Sequence, residues 1–134
     1  MVDSGPLYAY VDADDRHHQA CLDLLRNHPG PLVVPVLVIG EVAHLVETRL
    51  GVIPEIRLLG DLAGGDFLVD SVHPGDWIRV AELVSIYRDL PLGTVDASVV
   101  AAAERRGVTE MATLDRRDFS VVRPAHTEAF RLLP

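Results

Sequence analysis

Short apolar runs bounded by proline or glycine alternate along this chain with longer amphipathic stretches. "PLVVP" (31–35) reads as a buried strand bracketed by prolines, and "FLVD" (67–70) as a second. "EMATL" (110–114) predicts a strand of about four residues, and the tail around "EAFRLL" (128–133) a last short one. Between them the apolar period lengthens to that of a helix. Residues 14–28 carry Ala20, Cys21, Leu24 and Leu25 at helical spacing, and "HPG" stops that helix. A second runs from Val36 to Arg49 with Gly51 as terminator, and "PEIRLLGDLAGG" (54–65) is a third. From Pro74 to Tyr87, one face carries Trp77, Val80, Leu83, Val84 and Tyr87, and "DASVVAAAERRG" (96–107) is an alanine-rich helix ended by Gly107. Strands alternate with helices and no Asn-Gly hairpin separates them. This predicts an α/β protein: a three-layer α/β/α sandwich around a short, mostly parallel sheet covered on both faces, one domain over 1–134.

Composition narrows the chemistry. Hydrophobic residues make up 49% of the 134, which excludes a disordered chain. The longest apolar run, "LVVPVLVIG", is too short to span a bilayer, and no basic-then-apolar leader opens the sequence, so a cytoplasmic protein is expected. Its single cysteine, Cys21, allows no internal disulfide, and the Cys/His spacing suggests no zinc site. Net charge is −8, yet all 12 basic residues are arginine. Without lysine there is no P-loop, no receiver-type phosphoacceptor site and no Schiff-base enzyme.

Ligand sites of parallel sheets lie beyond the carboxyl ends of the strands. Acids fall there. Asp3 follows the first two apolar residues, before Gly5 and Pro6 turn the chain into a helix. Asp115 follows "EMATL", with Asp118 three residues on. Each alone reads equally as a turn carboxylate. Glu41 sits in "VLVIGEVAHLVETRL", a helix apolar enough that the carboxylate is expected to be buried and so paired or cation-bound. Asp96 falls in the first turn of its helix, with Thr94 the expected N-cap and the carboxylate pointing inward. Four acids from four elements, with no lysine to neutralise them, cannot all ionise without a cation. Oxygen-only donors point to Mg²⁺ or Mn²⁺, and such a site suits metal-assisted hydrolysis of a phosphodiester.

With "VDSGPLYAYVD", "VIGEVAHLV", "LGTVDASVVAAAERRG" and "MATLDRRDFSVVRP" in this order, the chain resembles a PIN-domain protein, in particular the VapC-type toxins. The resemblance implies an Mg²⁺- or Mn²⁺-dependent endoribonuclease acting on structured RNA (tRNA or rRNA), usually a homodimer, inhibited by a small VapB-type antitoxin. It assigns Asp3, Glu41, Asp96 and Asp115 as the metal-binding catalytic acids, with Ser4 and Thr113 as flanking hydroxyls. Asp118 occupies a position that varies and is expected only to support the others. One departure stands out, since only Met1 and Val2 precede Asp3 where such sequences have a longer strand. Arg105, Arg106, Arg116, Arg117 and Arg123 form the densest basic region, with Arg116 and Arg117 the candidates for RNA phosphates. An antitoxin is expected to lay an apolar helix in a groove around Leu24, Val42 and Leu45 and to push a basic side chain toward the four acids. The rival reading is a non-catalytic PIN module that binds RNA or a partner protein. A phosphatase with an Asp nucleophile would want Asp-x-Asp, and Asp3-Ser4-Gly5 lacks the second acid.

Overall fold

Val33, Val34 and Pro35 are all buried, as a strand covered on both faces requires. They form β1 (Val33–Pro35) in a computed structural model that describes residues 1–134. Before it come α1 (Ser4–Val11) and α2 (His18–Asn27), and after it α3 (Val36–Leu50), α4 (Val52–Gly64), β2 (Leu68–Asp70), α5 (Pro74–Ile86) and α6 (Thr94–Arg106). The chain ends with β3 (Glu110–Ala112), α7 (Arg116–Val121) and β4 (Arg131–Leu133). β1 pairs with β2 and β3 with β4, both in parallel.

The first three residues join these two ladders. Val2 donates its N–H to Val33 O at 2.8 Å, and on the other side Ala112 N–H reaches Met1 O at 2.8 Å. Val2 also pairs with Ala112 in parallel. So the short lead into Asp3 does not leave it loose: its own N–H donates to Ala112 O at 2.9 Å. The sheet order is β2, β1, the Met1–Asp3 segment, β3, β4.

Helices cover both faces. α1 packs on α2 and α3, and α3 on α4; α5 packs on α6, which also lies against α3 and β1. The alanines of α6 let it sit close, and every residue from Ala97 to Ala103 is buried. The expected α/β sandwich with a short parallel sheet is the fold found. Gly51, at φ +93°, both ends α3 and opens α4, a backbone conformation that only glycine adopts cheaply. No helix is long and apolar enough to cross a membrane.

Three details differ from expectation. The helix expected from residue 14 starts at His18, because aspartate side chains take the preceding backbone into turns: Asp12 Oδ1 accepts from Asp14 N–H and Asp15 Oδ1 from His17 N–H. Ala20 is exposed, leaving Cys21 and Leu25 as the buried positions of α2. On α5, Val80 and Leu83 are buried but Trp77 is 49% exposed, and it is Asp76 beside it that turns inward, to meet Arg105 of α6.

Candidate active site

Sheet geometry fixes Asp3. Its backbone is the last hydrogen-bonded position of the first segment, and its side chain, only 3% exposed, does not cap α1. Instead Oδ2 accepts from Thr113 Oγ1 at 2.8 Å, while Ser4 Oγ lies 3.5 Å from Oδ1. Thr113 follows β3 and is fully buried, its N–H held by Leu133 O at 2.9 Å. The same hydroxyl accepts from Asp115 N–H at 3.0 Å. Asp115 in turn caps α7, its Oδ1 accepting from Asp118 N–H at 3.0 Å. One threonine thus ties two strand ends and two aspartates together. Asp118 touches this chain through its backbone.

Asp96 comes from the opposite layer. Gly93 rather than Thr94 is the N-cap of α6, and Asp96 Oδ2 reaches back toward Gly93 N–H at 3.4 Å. An acid three residues after the cap is the capping-box spacing, so counting back from Asp96 would have found Gly93 in the sequence. Glu41, in the second turn of α3, is exposed, against expectation. Val38, Val42 and Val46 alone form the buried stripe of α3, and that narrow stripe leaves Glu41 beside it on the open side.

The four acids act on one another. Burial pushes the Asp3 carboxyl up, the Thr113 hydrogen bond opposes this, and the charges of Glu41 and Asp115 add to the rise. Asp96 is raised to about 6, first by burial and then by Asp3, with smaller contributions from Glu41 and Asp115 against the Gly93 N–H. None of the four is in an ion pair. Neither do three His, Cys, Asp or Glu side chains anywhere converge tightly enough to chelate one ion. That spacing argues against a dedicated protein cage. Mg²⁺ or Mn²⁺, which needs only one or two carboxylates and keeps several waters, would fit this donor set, with Asp3, Glu41, Asp96 and Asp115 the residues that would hold it.

The basic region divides. Arg105 and Arg106 end α6, about 15 Å along its axis from Asp96, and they are consumed there. Arg105 Nε meets Asp76 Oδ1 at 3.0 Å and its Nη2 meets Asp70, while Arg106 Nη1 meets Asp70 Oδ1 at 2.9 Å. Arg123 binds carbonyls at the end of α7 and Arg116 the carbonyl of Pro134. Arg117, two residues after Asp115, keeps its side chain 83% exposed. The grouping expected from sequence density therefore reduces to Arg117 and part of Arg116. The residues expected to line a partner groove separate. Val42 is fully buried and lines nothing, and Leu24 faces a cavity of about 270 Å³ with Met1, Val33 and Leu133. A separate groove of about 230 Å³ runs between α1, α2 and α4, lined by Val11, Leu22, Pro54 and Leu58 with Arg26 and Arg57 at its edge.

Residues 1–123, which carry all four acids, match the family model described as PIN domain. The chain belongs to the PIN-domain family. Within it, this chain is 34% identical over 134 residues to Ribonuclease VapC26 of Mycobacterium tuberculosis, covering 100% of this chain and 99% of that protein. A solved structure of VapC20 from the same organism, described as a Sarcin-Ricin loop cleaving toxin, has a TM-score of 0.83 at 19% identity. It covers 95% of this chain and 97% of that one, a likeness that speaks for the fold. This PIN domain is thus of the VapC type, as the four sequence motifs implied.

Proposed function

We propose that this PIN domain is an Mg²⁺- or Mn²⁺-dependent endoribonuclease toxin that cuts structured RNA, tRNA or rRNA, in the cytoplasm. The observation that carries the reading is the uncompensated set of acids: Asp3, Glu41, Asp96 and Asp115 influence one another electrostatically and no arginine answers them. A non-catalytic module would gain nothing from a buried, unpaired Asp3, which costs stability unless a cation is destined for it. Full-length similarity to a protein named a ribonuclease supports the substrate class.

When bound, the cation supplies Lewis acidity toward a phosphate oxygen and an acidified water. The chain's residues prepare that chemistry. Thr113 holds Asp3 through Oδ2, and Asp118 N–H orients Asp115. Asp96, raised to about 6 by burial and by Asp3, is ionised at neutral pH and would offer a cation the charge that no arginine answers. Arg117, its side chain largely exposed, would meet an RNA phosphate. As a VapC-type chain it would act as a homodimer and be silenced by a VapB-type antitoxin, its apolar segment in the α1–α2–α4 groove and a basic side chain among the acids.

The test is incubation of purified protein with total RNA in Mg²⁺, in Mn²⁺ and in EDTA, followed by sequencing of the new ends. Defined cuts in structured RNA that need the cation are expected. Cleavage that survives thorough chelation would sink the metal mechanism.

A further inference from the structure

Gly5 lies in the first turn of α1, two residues after Asp3, and its backbone is ordinary helix: the glycines at positive φ are Gly51, Gly65 and Gly107. Nothing in its own conformation demands glycine, and glycine weakens a helix relative to alanine. The reason lies across the turn. A Cβ at Gly5 would stand 3.2 Å from Leu114 Cβ, 3.4 Å from Cγ and 3.5 Å from Cδ1. The nearest of these is a Cβ, which the backbone places and no rotamer can move aside. Relief would need a few tenths of an ångström of backbone movement on one side or the other.

Both sides carry acids. Leu114 lies between Thr113 and Asp115, on the turn from β3 to α7, and Gly5 lies behind Asp3. Thr113 Oγ1 spans the gap, donating to Asp3 at 2.8 Å and accepting from Asp115 N–H at 3.0 Å. We propose that Gly5 is a positioning residue: its missing side chain lets α1 close against Leu114, and that closure sets the spacing of Asp3 and Asp115. The inference rests on the carboxylates being the cation site proposed above. Gly40 and Gly60 would direct a Cβ into open space, and the 3.3 Å neighbour of a Cβ at Gly30 is a His28 ring carbon on a side chain that can turn aside.

Two readouts test it, one of them metal-free. In G5A, direct titration with Mn²⁺ should show a dissociation constant raised on the order of 10-fold, as when an orienting contact behind a ligand is lost. In the metal-free protein, the Asp115 amide should exchange its hydrogen faster in G5A as its bond to Thr113 loosens, with the far-UV circular dichroism spectrum unchanged. G60A should change neither. G5A/L114G, which removes the opposing Cβ, should return Mn²⁺ affinity to within about threefold of L114G alone, the coupling expected of residues in contact. G5A/L114A keeps that Cβ and should not recover. Wild-type Mn²⁺ affinity and Asp115 exchange in G5A would overturn the proposal. So would a G5A chain that fails to fold, since a few tenths of an ångström cannot unfold it. If the wild type itself binds no Mn²⁺, the metal reading fails, and Asp115 exchange still decides whether Gly5 sets the spacing.

Discussion

The two ends of α6 handle charge in opposite ways. At the C-terminal end, Arg105 and Arg106 close on Asp70 and Asp76, and Arg79 grips Glu104 through two bonds of 2.8 and 2.9 Å. Burial alone would raise Asp76, but the His73 N–H and the Arg105 guanidinium outweigh it and hold the carboxyl below its usual value. At the N-terminal end, Asp96 meets carboxylates and no arginine, and its pKa goes the other way, to about 6. The same residue type, partly or wholly buried at both ends, is stabilised at one and strained at the other. A protein with 12 arginines to spend leaves its most crowded acids without one. Buried charge answered from within is structure. Buried charge left unanswered points to a ligand from outside.

Breaking the unanswered end should have the largest effect. D96N is expected to reduce RNA cleavage by more than about 100-fold, beyond the ~10–100-fold typical of residues that only orient a ligand. It should leave the fold intact and the metal-free protein more stable at pH 7.5, since one of the mutually repelling carboxylates is gone. Cleavage kinetics and thermal melts on the same preparation check both halves. A fully active D96N would reduce Asp96 to a helix-start residue.

Breaking the answered end should do the reverse. R105A leaves Asp70 and Asp76 short of a partner in a buried setting. The expected cost is about 2–3 kcal/mol, below the ~3–5 of a fully buried pair because Arg106 still reaches Asp70 and Arg105 is partly open to water. Urea unfolding measures this, and cleavage per folded molecule should stay at the wild-type level. A loss of activity without a loss of stability would mean that the two ends are coupled through α6.

This contrast also marks what could be read from the chain. The periodicity of "VLVIGEVAHLVETRL" and "DASVVAAAERRG" located α3 and α6, and the strand ends located Asp3 and Asp115, because those signals are local. Charge pairing is not local. Arg105 finds Asp70 and Asp76 across 35 and 29 positions, so a dense arginine region looked available when most of it was already engaged. Glu41 misled for a related reason: an apolar helix sequence implies burial, but which flank of the stripe stays open depends on the neighbours that α1, α4 and α6 contribute.

A smaller effect should show in the dependence of stability on pH. Asp96 sits at about 6 in the folded metal-free protein against 3.8 as the ordinary value, so between those values the folded state binds more protons than the unfolded one. Stability should therefore rise as pH falls from about 6 toward 4, and Asp3, also raised, acts in the same sense. Asp76 and Glu104, held low by their arginines after opposing their own burial, contribute stability that is lost only at more acid pH. Melts across pH 4–6 should show a gain on acidification in the wild type and a flatter profile in D96N. Equal slopes in the two proteins would place the titration elsewhere.

The smallest expected effect separates free arginine from paired arginine. Arg117, two residues after Asp115, is 83% exposed, with a contact of 3.9 Å to Asp118 that solvent largely screens. Arg106 bonds Asp70 and is occupied. Each RNA phosphate neutralised by a basic side chain adds about 0.7–0.9 to the slope of log affinity against log salt. R117A, measured with a non-cleaving D96N background and a labelled structured RNA, should lower that slope by about one phosphate's worth and weaken binding a few-fold at low salt. R106A should leave the slope unchanged, because its charge is already answered and sits about 15 Å along the helix from the acids. If R106A lowers the slope as much as R117A, RNA reaches the paired end of α6 as well, and the division of this molecule into a structural end and a working end would have to be abandoned.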